Sequence, residues 1–211
     1  MFLGLPGAGK GTQAARLAPE LGVAHVTTGE IFRENIRNNT ELGQKAKSYV
    51  ESGKLVPNEI TIGMLLDRIS QPDCANGCLL DGFPRNTDQA TALDEAMAAT
   101  GKSIDKVVYI KVDEEELVRR LAGRWSCAEC GAVFHEDSHP PQKAGVCDNC
   151  GSQLRQREDD KPEVVATRLK VNMEQLQPML DYYQAQGKVA EIDGGRDADA
   201  ITADLKAIVA G

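Results

Sequence analysis

Nine residues close to the start of the chain, Gly4-Leu5-Pro6-Gly7-Ala8-Gly9-Lys10-Gly11-Thr12, have the composition of a phosphate cradle. Glycines at 4, 7 and 9 let backbone N–H groups turn inward around an anion, where side chains would block the approach. Lys10 adds a mobile positive charge. The helix expected over Gly11–Leu21 points its N-terminus at the same place. Ser or Thr normally follows the lysine of this motif, but here Gly11 does, and Thr12 comes next.

A second constellation is Cys127-Ala-Glu-Cys130 and Cys147-Asp-Asn-Cys150, two C-x-x-C pairs separated by sixteen residues. Gly131 and Gly151 follow the pairs, which predicts two tight knuckles whose N–H groups face the sulfurs. Four thiolates placed tetrahedrally suit Zn²⁺ and leave no open coordination position, so the expected metal is structural. His135 and His139 lie inside this segment and are read as spectators or hydrogen-bonding residues. Cys74 and Cys78 have no second pair nearby and are read as core or loop thiols.

A third group is charged. The apolar run Cys78-Leu79-Leu80 ends in Asp81, the position from which a phosphate-loop protein holds Mg²⁺, usually through water. Asp113 also ends an apolar strand, but the acidic run after it suggests a solvated helix start. Arginines recur at 33, 85, 120, 124, 157 and 168. Any one of them reads as a surface residue. Together, beside a phosphate loop, they suit the neutralisation and positioning on which phosphoryl transfer depends.

The elements that must hold these groups alternate. Short apolar runs at Val23–Val26, Cys78–Leu80, Val107–Val112 and Val189–Ile192 predict strands. Helices are expected between them. Thr27-x-x-Glu30 reads as a capping box ahead of Ile31–Asn38, Asn58 as the cap of a helix through Ile69, and Thr87 as the cap of another closed by Gly101. Pro162 opens a long helix to about Gln186, with a kink expected at Pro178. Ile201, Leu205 and Ile208 mark a last helix. The alternation predicts an α/β fold with a central parallel sheet covered on both faces and ligands at the strands' carboxyl ends. Only Met1, Phe2 and Leu3 precede the loop, so the first strand is expected to be short or the natural start to lie upstream. Two stretches break the rhythm: Asn39–Ser70, helical without a strand, and Trp125–Arg157, which holds the cysteines.

The chain has 211 residues and a net charge of −8, which argues against nonspecific nucleic-acid binding. It has no apolar run long enough to span a bilayer, and the early phosphate loop leaves no room for a signal peptide. A cytoplasmic location is expected, with thiols reduced or metal-bound.

Taken together, these residues resemble the adenylate kinase family of nucleoside monophosphate kinases, in the long form with a zinc-bearing lid. The resemblance rests on Gly4–Thr12, Thr27–Arg33, Lys54-Leu55-Val56-Pro57, Asp81-Gly82-Phe83-Pro84-Arg85 with Gln89, Arg120-Leu-Ala-Gly-Arg124, the four cysteines, and Arg157-Glu-Asp-Asp160 through Arg168. It implies a three-layer P-loop NTPase-like fold. The core would comprise 1–26, 71–124 and 158–211, with an AMP-binding insertion at 27–70 and a zinc-bearing lid at 125–157. It further implies that ATP meets Gly7, Ala8, Gly9, Lys10, Gly11, Thr12, Arg120, Val133, Phe134 and Arg196. AMP would meet Thr28, Arg33, Lys54, Leu55, Val56, Gly82, Arg85, Gln89, Arg157 and Arg168. Lys10, Arg85, Arg124, Arg157 and Arg168 would be catalytic, with Asp81 ordering the waters of Mg²⁺. The family also carries Gly after the lysine, whereas Glu30 stands where aspartate is common. The implied reaction is ATP + AMP ⇌ 2 ADP, by a monomer with no nucleic-acid or membrane partner. The rival readings are a kinase for another nucleoside monophosphate, a GTP:AMP phosphotransferase, a nucleotide-gated switch, and a zinc-ribbon nucleic-acid-binding protein in which Phe134 and Trp125 would stack on bases.

Overall fold

In the computed structural model, which describes residues 1–210, five strands form one fully parallel sheet. They are β1 (Phe2–Leu3), β2 (Ala24–Thr27), β3 (Cys78–Asp81), β4 (Val107–Lys111) and β8 (Val189–Asp193), in the order β2-β3-β1-β4-β8. Crossovers between parallel strands need helices on the sheet's faces. These are α1 (Lys10–Leu21), α5 (Thr87–Ala99), α6 (Glu114–Ala122), α7 (Pro162–Gln184) and α8 (Ala198–Ala210).

β1 has only two residues, yet it sits at the centre of the sheet between β3 and β4. Side chains alternate across a strand, so Phe2 and Leu3 enter opposite layers. Phe2 packs with Leu17, Ile110, Leu117 and Leu205, and Leu3 with Leu80, Leu93, Met179 and Tyr183. Burial on both faces, rather than length, holds this strand, and the phosphate loop leaves its carboxyl end.

Two excursions leave the core. The first carries α2 (Thr28–Arg37), α3 (Glu41–Glu51) and α4 (Asn58–Ile69), with a small apolar cluster of Phe32, Ala46, Val56 and Met64. The second is an antiparallel sheet of β5 (Arg124–Cys127), β6 (Val133–His135) and β7 (Leu154–Arg155), in the order β6-β5-β7.

Several local expectations shift by a residue or two. Asn86, not Thr87, caps α5, its side chain accepting from Gln89 N at 2.9 Å. Asn58 lies in the first turn of α4 behind Pro57, and its side chain turns instead to Asn86 and Gln89. Thr27 stands at the cap of α2 without a side-chain cap bond, and that helix starts at Thr28. Gly101 closes α5 at φ +69, as expected, and α7 runs on through Pro178.

Candidate active site

The loop between β1 and α1 places Gly7 and Gly9 both at φ +88, a region L side chains rarely adopt. Gly9 is the N-terminal cap of α1, so the first-turn N–H groups that follow have no intrahelical partner and open toward the sheet edge. Lys10 Nζ donates to the carbonyls of Gly4 at 2.8 Å and Leu5 at 3.0 Å. Burial pulls its pKa down to about 8, against the pull of Asp81 and with added repulsion from Arg85, Arg168 and Arg124. A Cβ on Gly11 would lie 3.2 Å from Asp81 Oδ2, so a side chain after Lys10 would press on the carboxylate. Burial works to raise the Asp81 carboxyl. His25, 3.5 Å away, and Lys10 outweigh it and hold it below the usual carboxylate range. A buried anionic carboxylate facing the phosphate loop fits a nucleotide-bound Mg²⁺.

Beyond Asp81 the cations gather. Arg85 stays close to its own turn, Nε donating to Gly82 O at 2.7 Å, where Thr28 Oγ1 also donates at 2.9 Å. Arg124 and Arg168 meet on Asp160, which is fully buried. Arg124 Nε donates to Asp160 Oδ2 at 2.7 Å and its Nη2 to Oδ1, where Arg168 Nη1 also donates at 2.7 Å. Arg168 Nη2 reaches Asp159 Oδ2 at 3.0 Å. Arg157 Nε donates to Ser126 Oγ at 2.8 Å. Burial, then mutual repulsion, pushes Arg85 down to about 10 and Arg157 to about 9, and lowers Arg33 as well. Among the described residues, Lys10, Arg33, Arg85, Arg124, Arg157 and Arg168 share this space with three buried carboxylates, Asp81, Asp159 and Asp160. Lys10, Arg33, Arg85 and Arg157, crowded until burial and repulsion depress their pKa values, create with Arg124 and Arg168 a strong field for a polyanion.

One side of this cluster opens into a cleft of about 470 Å³, its mouth included, lined by Gly29, Phe32, Arg33, Val50, Lys54, Leu55, Val56, Thr61, Arg85, Gln89, Asp159 and Arg168. Arg33, Lys54, Leu55, Val56, Arg85, Gln89 and Arg168 were expected there from sequence. Gly29, Phe32, Val50, Thr61 and Asp159 were not. The Gln89 carboxamide is held on both sides, Oε1 accepting from Arg85 N at 2.9 Å and Nε2 donating to Asn58 Oδ1 at 3.0 Å. The cleft thus pairs an apolar and amide-bearing end with a guanidinium end, which suits a planar base joined to a phosphate.

The residues expected at the donor's base are not gathered in this way. Arg120 donates to Glu116 Oε1 at 2.7 Å along its own helix, and Arg196 pairs with Asp204. Val133 is exposed, but Phe134 is 3% exposed and stacks on His139 inside the small sheet's core. Its ring is unavailable to a nucleotide or a nucleic-acid base; only its backbone could meet one.

At the other end of the small sheet, the sulfurs of Cys127, Cys130, Cys147 and Cys150 all lie within 4.8 Å of one another. Cys127 and Cys150 are 3.4 Å apart and Cys130 and Cys147 3.5 Å apart, near the roughly 3.8 Å between sulfurs of a tetrahedral site with 2.3 Å Zn–S bonds. Gly131 N and Gly151 N close the two knuckles on Cys127 O and Cys147 O. The N–H groups of Ala132 and Ser152 face the Cys130 and Cys150 sulfurs. The donor set fits Zn²⁺, and neither histidine joins it: His135 Nδ1 accepts from Asp137 N and Ser138 N. Cys74 and Cys78 are free thiols in the other core layer.

Comparison with known proteins agrees with this geometry. The family profile described as "Adenylate kinase" matches residues 2–188. Relatives named "Adenylate kinase" include that of Brevibacillus brevis, 50% identical over 211 residues, covering 100% of this chain and 99% of the relative. That of Bacillus licheniformis is 49% identical over 211 residues, with 100% and 97% covered. That of Lachnospira eligens is 47% identical over 209 residues, with 99% and 98% covered. A phosphate loop facing a guanidinium-lined cleft, in a chain similar to these proteins from end to end, establishes that this protein belongs to the adenylate kinase family.

Proposed function

We propose that the protein catalyses ATP + AMP ⇌ 2 ADP, with the donor on the phosphate loop and the acceptor in the cleft. The observation that carries this reading is the cluster of six cations between the two. A single phosphate site needs no guanidinium wall opposite it, whereas transfer between two phosphates does.

In this reading Arg33 and Arg85 hold the AMP phosphate, while Thr28, Lys54, Leu55, Val56, Gly82 and Gln89 line its nucleoside. Gly7–Thr12 cradle the ATP phosphates, and Arg120, Arg196 and the backbone at Val133 and Phe134 frame its base. An AMP phosphate oxygen attacks the γ-phosphorus in line, and the bond from that phosphorus to the β-bridging oxygen breaks. The nucleophile is already anionic, so no general base is needed. Arg124, Arg157 and Arg168 neutralise the equatorial oxygens, and Lys10 leaves its two carbonyls to follow the phosphoryl. Mg²⁺ arrives with the nucleotide and offsets phosphate charge; Asp81 would hold its water shell. Zn²⁺ on Cys127, Cys130, Cys147 and Cys150 would cross-link a sheet whose own apolar cluster is small.

Residues 27–70 act as the acceptor domain and 125–157 as a lid, carried on a core of 1–26, 71–124 and 158–211. Closure excludes water, which would otherwise take the phosphoryl. In this reading the enzyme acts as a monomer on small nucleotides, without nucleic-acid or membrane partners. The free cysteines support a reducing, cytoplasmic setting.

A coupled ADP-formation assay with AMP, GMP, CMP and UMP, with and without Mg²⁺, tests the reading. The expected result is Mg²⁺-dependent turnover with AMP strongly preferred. Preference for another monophosphate, or nucleotide binding without transfer, would overturn it.

A further inference from the structure

The zinc knuckle touches the acceptor segment. Arg37 Nη1, in the last turn of α2, donates to the Ala128 carbonyl at 2.5 Å. Ala128 lies between Cys127 and Cys130, two of the four cysteines that could hold a metal. One residue past that knuckle, a Cβ on Gly131 would come within 2.8 Å of Glu30 Oε1, so the Glu30 carboxylate rests against bare backbone there. Glu30 and Arg37 are seven residues apart, two turns along the same face of α2. The helix therefore lies along the knuckle and meets it at both ends.

We infer that Arg37 is a positioning residue that latches the lid to the acceptor segment, and that the latch makes donor and acceptor bind cooperatively. This rests on the donor–acceptor reading above. Arg37 does not line the cleft and touches neither the phosphate loop nor the arginine cluster, so it has no part in holding either nucleotide. Its contact joins two excursions that leave the core separately. It therefore favours the arrangement in which both lie inward over the core. If filling each site draws its own segment inward, a contact that rewards having both in place is a coupling free energy between the sites. The partner is a backbone carbonyl, so the contact requires a donor at position 37 and does not depend on the side chain at 128. The knuckle is an apt partner because Gly131 N and Gly151 N already close the two turns on Cys127 O and Cys147 O, and a metal on the four cysteines would pin that backbone further, so the carbonyl is pre-aimed and little ordering is lost when the arginine engages.

The test compares the zinc-loaded wild type with Arg37→Ala and Arg37→Lys by calorimetry. The probes are AMP alone, a non-hydrolysable ATP analogue alone, and a dinucleotide of two adenosines joined by five phosphates, which fills both sites. A charge-assisted hydrogen bond predicts that Arg37→Ala weakens the dinucleotide roughly three- to tenfold. Each single nucleotide should stay within about twofold, and Arg37→Lys should recover part of the loss. In turnover, KM for both substrates should rise with no fall in kcat. Arg37 is exposed, and melting temperatures within about 2 °C of wild type would show that the variants fold. Unchanged dinucleotide affinity in Arg37→Ala, or an equal loss for each nucleotide alone, would overturn the latch. Failure of the wild type to bind the dinucleotide would instead overturn the donor–acceptor reading on which it rests.

Discussion

Asp160 offers the sharpest test of how the arginine cluster is held. Its side chain is fully buried and takes three hydrogen bonds, two from Arg124 and one from Arg168. Replacing it by asparagine keeps the shape but removes the negative charge, leaving two guanidinium groups in a site already crowded with cations. Removing one partner of a buried ion pair costs about 3–5 kcal/mol, and the retained carboxamide oxygen puts Asp160→Asn near about 3 kcal/mol. For a chain of this length that is a fall in melting temperature of roughly 6–12 °C. Neighbouring Glu158 is the control. It pairs with Lys161 at 2.6 Å but both are exposed, so Glu158→Gln should move the melting temperature by no more than about 2 °C. Activity should separate the two as well. Asp160→Asn frees Arg124 and Arg168 from their aimed positions, and kcat should fall by roughly 10- to 100-fold. KM for the nucleotides should not rise, because the unpaired cations attract phosphate as strongly as before. Differential scanning calorimetry and steady-state kinetics on both variants decide the matter. An Asp160→Asn protein that melts within about 2 °C of wild type and turns over within about twofold would refute the reasoning.

Two further outcomes follow from the same geometry. Burial depresses Lys10 to about 8, so in the free enzyme its ammonium is lost as pH rises through that value, and kcat/KM for ATP should fall above it. kcat should hold to higher pH, since bound phosphates favour the protonated form; a kcat/KM profile flat from pH 7 to about 9.5 would contradict the assignment. Replacing Cys130 and Cys150 together by serine should lower the melting temperature by several degrees while most low-temperature activity survives, because a closed four-thiolate site has no open position for chemistry. Early loss of activity with the fold intact, read by circular dichroism beside the assay, would count against a purely structural metal.

What could be read ahead of the structure was what depends on short spacing. The phosphate loop, the two C-x-x-C pairs and the strand ending in Asp81 each lie within a dozen residues, and local backbone geometry forces their side chains together wherever the chain goes. The counter-ions could not be read in this way. Asp159 and Asp160 sit in a run of charges from Arg157 to Lys161 that looks solvated, and only the fold that brings Arg124 and Arg168 together buries Asp160, which is 36 residues from Arg124. The burial of the Phe134 ring could not be read for a related reason: in a strand of three residues, which face is inside depends on the sheet it joins, and here His139 and the cysteine cluster take the ring. The helix caps missed by one residue because Asn86 and Thr87 are both competent caps, and the choice was made by Gln89, whose side chain is needed at Arg85. β1 looked too short because strand length is a proxy for burial, and two residues buried in separate layers supply that burial directly.

The chain is acidic overall, at −8, yet its one deep concentration of charge is positive. The two facts belong together. A protein with spare basic residues on its surface would bind phosphates in many places; here surface carboxylates pair with several of the exposed cations, as Asp199 does with Arg16, Glu41 with Lys45 and Glu116 with Arg119. The buried cations are deliberately under-compensated, three carboxylates to six, and the missing charge is of the size two facing nucleotides bring. Their own repulsion disfavours the cluster until phosphate arrives. On the proposed reading, filling both sites would relieve repulsion at the centre while α2 meets the knuckle at the rim, so charge and closure would favour the same doubly filled state. Neither a lone phosphate site nor a rigid cleft would produce that joint dependence.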